Sequence, residues 1–326
     1  MKILAIRFAR LGDVILLLPA LESLKNKFPG SELTLMTGHR CAAIAELCQT
    51  IDRVMAVDRV AMRDGPLWRA LQEMASLVRN VRREQFDLTV DFHSFRETNL
   101  LTWLSGAPVR IGLKRYKAPY WGFCFNRPPV REDKTLHVAE MFQKVVAGIP
   151  SSGAVDVIHD HATLTRVVAE KGKTPTLALY VDAPVPDRIW PPEYFAEVAD
   201  FAVENLGAAV VVLSSKQGSE LAARVQKASR YADRLSLSTD LTLPELAKVI
   251  ASARLLISND TGPMHIGPAV GVRTLGLFSV GFPEHFRPIG NGDKFLRAIP
   301  IERIRVDEVI EVVEEMWAIV GLDPQR

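Results

Sequence analysis

The segment SNDTGPMHIGPA, residues 258–269, joins two apolar runs through a turn that carries signals for the start of a helix. Asp260 and Thr261 are favourable N-cap residues, and Pro263 suits the first turn of a short helix. A strand that leads into a helix in this way presents free backbone N–H groups and the positive end of the helix dipole. The segment therefore predicts either a phosphate site within reach of His265 or an ordinary capped helix.

Strand and helix patterns alternate on both sides of this segment. The predicted strands are 2–8, 32–37, 53–57, 86–92, 109–113, 176–181, 208–214, 234–238, 254–257, 272–278 and 295–299. The predicted helices are 14–28, 39–49, 66–83, 97–104, 135–147, 193–205, 219–227, 244–253 and 306–320. Nearly continuous apolar strands that alternate with helices indicate an α/β fold with parallel sheets covered on both faces.

The length of the chain and the alternation of strands and helices predict two Rossmann-like, doubly wound domains, residues 1–165 and 166–326, that face a central cleft. The amphipathic last helix, 306–320, is a candidate to pack back on the first domain. The longest apolar run, 14–21, is too short to span a bilayer, and the N-terminus already reads as a strand rather than a signal peptide. Three cysteines at unrelated spacings give neither a disulfide framework nor a metal motif, so we expect a cytoplasmic protein.

Charge is distributed unevenly along the chain. Residues 1–150 carry 22 Lys and Arg against 15 Asp and Glu, whereas the remainder carries 18 against 23. A basic and aromatic loop at 114–121 belongs to the positive half. This asymmetry suggests that the first domain meets an anionic partner, although solvated faces of unequal sign would look the same. Nucleic acid is not the expected partner, because the basic residues are dispersed and no recognised nucleic-acid-binding motif occurs.

Three further positions follow predicted strands. Asp13 lies in the turn after the first strand, where it could act as a base or cap a helix. Arg188 precedes a helix that begins with proline and could reach an anion, or it could be a surface arginine. Glu220 could bind ribose hydroxyls, or it could simply favour the start of a helix. The chain contains neither GxGxxG nor a P-loop motif.

Taken as a set, these stretches resemble the bacterial lipopolysaccharide heptosyltransferase family, glycosyltransferase family nine, over nearly the whole chain. The resemblance is carried by IRFARLGDVILLLPAL at 6–21, IWP at 189–191 and NDTGPMHIGPA at 259–269. Gly267-Pro268 departs from the pattern that we expect in the helix, which puts the ordinary continuation of that helix in doubt.

The resemblance implies a GT-B fold and an inverting, metal-independent transfer of heptose from ADP-heptose to the lipid A-linked inner core of lipopolysaccharide, without a cofactor. It implies that Asp13 is the catalytic base and that Arg188 stands where family members often have lysine. The implied donor-binding residues are Arg188, Glu220, Asp260, Thr261, Gly262, Pro263 and His265.

The first domain would then bind the anionic lipid A and core oligosaccharide acceptor, with peripheral contact at the inner face of the inner membrane. Our candidates for acceptor binding are Arg10, Gly12, Arg63, His93, Arg96, Lys114, Arg115, Lys117 and His137. For His93 and His137, a structural or surface role is the alternative.

Three other functions stay open. A transferase of the same fold could use another nucleotide sugar, because the motifs indicate a diphosphate more clearly than a sugar. A hexosamine 2-epimerase would need two acid or base groups, whereas Asp13 stands alone after the first strand. A catalytically silent nucleotide-sugar-binding protein or scaffold would have no need of Asp13 as a base.

Overall fold

The computed structural model describes residues 1–58, 67–150, 162–170 and 172–320. The chain divides into two compact units, Met1–Ile158 and His159–Arg326. The boundary predicted from the sequence lies a few residues later, between residues 165 and 166. Within these described residues, each unit contains one six-stranded sheet, and all the strand pairs in both sheets are parallel. The predicted α/β class is confirmed.

The first unit has a sheet of order β3-β2-β1-β4-β5-β6. Its strands are β1 (Lys2–Arg7), β2 (Glu32–Gly38), β3 (Arg53–Val57), β4 (Leu88–Asp91), β5 (Val109–Lys114) and β6 (Val130–Arg131). Its helices are α1 (Leu11–Ile15), α2 (Leu18–Lys27), α3 (His39–Ala45), α4 (Leu67–Glu84), α5 (Arg96–Leu104) and α6 (Val138–Ala147). Strand order reverses between β1 and β4, which makes the carboxyl ends of these two strands the expected ligand site.

The second unit has a sheet of order β12-β11-β10-β7-β8-β9. Its strands are β7 (Thr176–Tyr180), β8 (Ala209–Ser214), β9 (Leu235–Thr239), β10 (Leu255–Asn259), β11 (Arg273–Phe278) and β12 (Lys294–Arg297). Its helices are α7 (Pro192–Asn205), α8 (Ser219–Ala228), α9 (Leu243–Ser252), α10 (Ile266–Ala269), α11 (Pro283–Phe286) and α12 (Val306–Val320). The reversal here lies between β7 and β10, so the segment at 258–269 begins at the switch point.

The single helix predicted for residues 14–28 is wrong, because two helices occupy this region. The first helix begins earlier, at Leu11, and ends at Ile15, and the second begins at Leu18. Pro19 explains the interruption. Proline has no N–H and clashes with the preceding turn of a helix, but it is accepted at the start of a new one.

Two other segments differ from the sequence prediction. Residues 127–134, where neither a strand nor a helix was predicted, contain β6, which pairs with the end of β5 through Leu113 and Val130. The helix predicted to begin at residue 135 begins at Val138, after His137 as its N-cap. The Nδ1 atom of His137 accepts the backbone N–H of Ala139 at 3.2 Å and so satisfies one of the free donors at the helix start.

The last helix, α12, packs against α7. Val309, Val313 and Met316 lie in the apolar core of the second unit, so the apolar face of this amphipathic helix is buried there. Packing on the first domain is therefore not needed to cover this face. Among the described residues, no helix combines the length and apolar character required to cross a membrane.

Candidate active site

Arg7 links the two strands at the switch point of the first unit. It ends β1, and its side chain is buried. Its Nη2 atom lies 2.6 Å from Oδ1 of Asp13, and its Nη1 donates to the carbonyl oxygen of Phe92 at 2.8 Å, just beyond β4. The guanidinium also lies 4.8 Å from the ring centre of Phe142. Arg7 therefore has a fixed orientation from which it positions the Asp13 carboxylate.

Asp13 does not cap a helix. It lies inside the first turn of α1, whose N-cap is Arg10, and the cap makes no side-chain hydrogen bond. The Asp13 side chain is 27% exposed, so its carboxylate is held by Arg7 and is still open to a ligand. Burial lowers the pKa of Arg7, whereas the Asp13 carboxylate opposes this shift by stabilising the charged guanidinium.

His93 and Arg115 lie at the same edge of the sheet. The buried His93 ring packs between Phe8, at 5.8 Å, and Phe95, at 4.5 Å between ring centres. The Arg115 guanidinium lies 5.1 Å from the Phe95 ring centre, and its charge lowers the pKa of Arg7. The edge thus combines the Asp13 carboxylate with cationic groups, an arrangement suited to an anionic ligand with a hydroxyl group.

The other predicted acceptor residues have different surroundings. Arg10, Arg96, Lys114 and Lys117 are exposed, and Gly12 is buried within α1. His137 is buried and caps α6, which gives it the structural role that the sequence analysis named as an alternative. Arg63 lies outside the described residues. Acceptor binding by these residues stays a prediction.

Asp91 is a buried carboxylate that the sequence analysis did not single out. Its Oδ1 atom accepts the backbone N–H groups of His93, at 3.0 Å, and Ser94, at 2.7 Å. Its Oδ2 accepts from Nδ2 of Asn99 at 3.0 Å, and Oδ1 of Asn99 accepts the N–H of Trp121 at 3.0 Å. Burial raises the pKa of Asp91. Asp91 therefore fixes the loop that carries His93, and Asn99 extends this network to residue 121.

The second unit places Arg188 and Asp260 together at its switch point. Arg188 belongs to a 3-10 turn, Pro186–Arg188, and its Nη1 lies 3.1 Å from Oδ2 of Asp260. Burial raises the pKa of Asp260, and the Arg188 charge opposes this shift. Arg188 remains partly exposed, so its guanidinium can bind an anion in addition to Asp260.

The neighbouring Asn259 joins β10 to the loop that carries Arg188. Its Oδ1 accepts the N–H of Trp190 at 3.1 Å, and its Nδ2 donates to the carbonyl oxygen of Val181 at 2.9 Å. Trp190 is fully buried, and its Nε1 donates to the carbonyl oxygen of Ile304 at 3.0 Å. Trp190 thus has a packing role.

The segment after Asp260 forms two short turns. Thr261 precedes a 3-10 turn, Gly262–His265, which is followed by the single turn of α10. Gly262 and Pro263 are half-buried, and His265 is buried. The early end of α10 agrees with the doubt raised by Gly267-Pro268.

Two glycines in this part of the second unit allow neighbouring segments of the chain to pack closely against each other. A Cβ at Gly267 would lie 2.0 Å from Oγ1 of Thr274, so α10 can contact β11 closely only with glycine there. A Cβ at Gly281 would lie 2.0 Å from Oδ2 of Asp260. The backbone after β11 therefore lies directly against the Asp260 carboxylate.

Glu220 and a second carboxylate lie near the start of α8. Glu220 is exposed in the first turn of this helix. Asp182, just beyond β7, accepts a hydrogen bond from Oγ of Ser215, and that Oγ accepts the N–H of Gly218 at 3.2 Å. Asp182 was not among the predicted site residues. An aspartate directly after an apolar strand was the signal that could have found it.

A family model described as glycosyltransferase family 9 (heptosyltransferase) matches residues 74–308, most of the chain. The chain belongs to glycosyltransferase family 9. It is therefore a glycosyltransferase, and the resemblance drawn from its motifs is confirmed.

Family members align with the chain over most of its length. Lipopolysaccharide heptosyltransferase 1 of Pseudomonas aeruginosa is 26% identical, over 85% of this chain and 78% of its own. Lipooligosaccharide heptosyltransferase 2 of Haemophilus influenzae is 22% identical, over 94% and 91%. The solved structure of Escherichia coli heptosyltransferase WaaC with ADP has a TM-score of 0.84 at 19% identity and covers 97% of this chain and 100% of its own. This likeness confirms the predicted GT-B fold.

Proposed function

We propose that this family 9 glycosyltransferase transfers heptose from ADP-heptose to the lipid A-linked inner core of lipopolysaccharide, with inversion and without a metal or cofactor. The observation that carries the proposal is the Asp13 carboxylate, which Arg7 holds at 2.6 Å and which stays partly exposed at the switch point of the first unit. The names of the two relatives and the ADP in the WaaC structure support the choice of donor and acceptor.

Asp13 acts as the general base in this reaction. An acceptor hydroxyl transfers its proton to the carboxylate as its oxygen forms a bond to the anomeric carbon. The bond from that carbon to the diphosphate breaks in the same step, and ADP leaves. A single displacement assisted by one base inverts the anomeric centre, as in inverting glycoside hydrolysis.

The second unit holds the donor. Arg188 is partly exposed beside Asp260, so its guanidinium can bind the diphosphate and stabilise the charge that develops as the bond to the sugar breaks. Asp260 keeps Arg188 in place, and Gly262, at the start of the following turn, contributes its backbone N–H. Glu220 binds the ribose hydroxyls from the first turn of α8.

The acceptor is phosphorylated and therefore matches the positive charge of the first 150 residues. His93 and Arg115 both pack on Phe95. Arg115 is also close enough to Arg7, which holds the base, for its charge to lower the pKa of Arg7. We propose that His93 and Arg115 bind acidic groups of the acceptor. Because this acceptor is linked to a lipid, the enzyme works at the inner face of the inner membrane.

Thermal unfolding with ADP, UDP, GDP and CDP, with and without EDTA, tests the choice of donor. A ligand that binds only the folded protein adds about 2.7 kcal/mol of stability at a hundred times its dissociation constant. We expect stabilisation by ADP that EDTA does not change, followed by release of ADP when ADP-heptose and the acceptor are supplied. Stabilisation by UDP or GDP instead would assign another nucleotide sugar. No stabilisation by any of them would contradict the proposal.

A further inference from the structure

Three aromatic side chains, two of them exposed and one half-buried, form a contiguous group on the first unit. Trp103 lies in the last turn of α5 and is 46% exposed, and Phe123 is 65% exposed. The Phe123 ring centre lies 6.2 Å from that of Trp103 and 6.0 Å from that of Trp121. We call Trp103, Trp121 and Phe123 the aromatic flank. Isolated exposed aromatic residues are common, but a contiguous group indicates an interaction surface.

Hydrogen bonds hold the aromatic flank in place. The N–H of Trp121 is bound to Oδ1 of Asn99 at 3.0 Å, and its carbonyl oxygen accepts the N–H of Cys124 at 3.0 Å. Arg110 donates from Nε to the carbonyl oxygen of Cys124 at 2.9 Å. The segment that exposes Phe123 is therefore tied to α5 and β5, so these rings face solvent in a defined arrangement.

Cationic residues predominate in the segment that carries the aromatic flank, which is bounded by Glu97 and Glu132. Residues 98–131 contain six cationic side chains and no aspartate or glutamate. The cationic residues of this segment are Arg110, Lys114, Arg115, Lys117, Arg127 and Arg131. In addition, Arg82 donates from Nε to the carbonyl oxygen of Leu104 at 2.9 Å, beside Trp103. Exposed Trp and Phe surrounded by Lys and Arg are typical of proteins that bind the interface of an anionic membrane.

The aromatic flank is linked to the loop that carries His93, because Asn99 accepts the N–H of Trp121 and donates to Asp91, which accepts the N–H of His93. Arg115 and Lys114 lie at the carboxyl end of β5, where Arg115 contacts the ring of Phe95 and Lys114 lies 5.8 Å from the ring centre of Tyr120. The chain then continues through Tyr120 and Trp121 to Phe123, and the turn at Gly122–Cys124 packs against α5. A surface that binds the aromatic flank would therefore meet the first unit beside the proposed acceptor residues.

We propose that the aromatic flank binds the surface of an anionic lipid bilayer, with its rings at headgroup level and the surrounding cations on lipid phosphates. This inference rests on the proposed function only in that the proposed acceptor is itself a lipid. A second copy of the chain is a poorer occupant. A symmetric contact would bring two cationic surfaces together, and like charges across an interface are unfavourable.

Vesicle sedimentation with the full-length protein tests the proposal. Vesicles of phosphatidylcholine alone are compared with vesicles of equal parts phosphatidylglycerol and phosphatidylcholine, both free of lipopolysaccharide. We expect the wild type to bind only the anionic vesicles, and more weakly as salt is added. The variants are Phe123→Ser and the double variant Trp103→Gln/Phe123→Ser. The control is Phe282→Ser, which removes an aromatic side chain of similar exposure, 60%, from the second unit.

We expect the double variant to bind anionic vesicles at least about tenfold more weakly, Phe123→Ser to show a smaller loss, and the control to bind as the wild type does. Melting temperatures establish whether each variant folds. If the double variant does not fold, the comparison of Phe123→Ser with the wild type is enough to test the inference. The inference would be overturned if the wild-type protein did not bind anionic vesicles. It would also be overturned if both variants bound these vesicles as strongly as the wild type does. A loss of self-association in the variants without a loss of vesicle binding would also overturn it, in favour of a second copy of the chain.

Stabilisation by ADP, measured on the same preparations, separates this inference from the proposed function. Vesicle binding without any response to ADP would leave the membrane surface supported and the donor proposal rejected. If ADP stabilised the wild type but the wild type did not bind anionic vesicles, the donor proposal would be supported and the membrane surface rejected.

Discussion

Nη2 of Arg7 lies 2.6 Å from Oδ1 of Asp13, while Nη1 of the same guanidinium is bound to the carbonyl oxygen of Phe92. One buried side chain thus connects the end of β1, the first turn of α1 and the residue after β4. The position of the proposed base is set by a residue that does not itself take part in proton transfer.

Replacing Arg7 should reduce turnover with little effect on donor binding. Arg7→Met removes both hydrogen bonds and should lower kcat about a hundredfold, because small displacements of a catalytic group have effects of that size. Arg7→Lys keeps the charge but not the two-point geometry, so we expect a smaller loss. Steady-state kinetics should show that KM for ADP-heptose is unchanged. The control Arg53→Met removes an exposed arginine that pairs with Glu84, and it should retain wild-type kcat. Equal losses in both variants would indicate a merely structural role for Arg7.

Arg188→Gln should weaken donor binding. The substitution removes a partly exposed cation that is bound to Asp260 at 3.1 Å and that we propose binds the diphosphate. Charge-assisted hydrogen bonds contribute about 1.5–3 kcal/mol, so affinity for ADP should fall about tenfold to a hundredfold. Calorimetric titration with ADP measures this. Arg224→Gln, which removes an exposed arginine paired with Glu193, should bind ADP normally. Unchanged affinity in Arg188→Gln would exclude Arg188 from the donor site.

Gly281→Ala should damage the same site through steric contact. The added Cβ would lie 2.0 Å from Oδ2 of Asp260, so the carboxylate must move away from Arg188. We expect affinity for ADP to fall at least about tenfold and stability to fall by about 1–3 kcal/mol, the usual cost of overpacking. The matched control is Gly38→Ala, because a Cβ at Gly38 meets no atom within 4 Å. Normal ADP binding by Gly281→Ala would show that the position of Asp260 does not matter for the donor.

The buried Asp91 predicts a particular dependence of stability on pH. Burial raises its pKa above the ordinary 3.8, so the folded protein binds the proton more tightly than the unfolded chain does. Its contribution to stability is therefore greatest below pH 3.8 and decreases as pH rises to the folded-state pKa. Asp91→Asn lacks this dependence, although it disturbs the hydrogen bonds to His93 and Ser94.

Urea unfolding of both proteins across a pH series measures this difference. The unfolding free energy of the wild type minus that of Asp91→Asn should decrease as pH rises through the acidic range. A constant difference, or one that increases, would contradict the raised pKa of Asp91.

Much of the fold could be predicted from the sequence because apolar strands and amphipathic helices alternate with clear periods. The bounds of α12, Val306–Val320, were predicted as observed, since its apolar face and acidic face are both unbroken. The separation of α1 from α2 was missed because the apolar pattern continues across Pro19. In that case the local property of one residue outweighed the periodicity around it.

The candidate site was predicted in part. Asp13, Arg188 and Asp260 were identified because each follows a strand in a turn with helix-start signals. Arg7 and Asp91 were read only as strand residues. Their roles depend on contacts across the sheet, with residues distant in sequence, such as Phe92 for Arg7. Periodicity and spacing in a single chain carry no information about such contacts.

The most direct test of the central claim is to measure transfer and ADP binding together in Asp13→Asn. Asparagine keeps the size of the side chain and an oxygen that can accept from Arg7, but it does not accept a proton at neutral pH. We predict that kcat for transfer from ADP-heptose falls about a hundredfold to ten-thousandfold while the stabilisation by ADP is that of the wild type. Transfer within a few-fold of the wild-type rate would contradict the role of Asp13 as the base, and so would a loss of transfer explained by unfolding or by lost ADP binding.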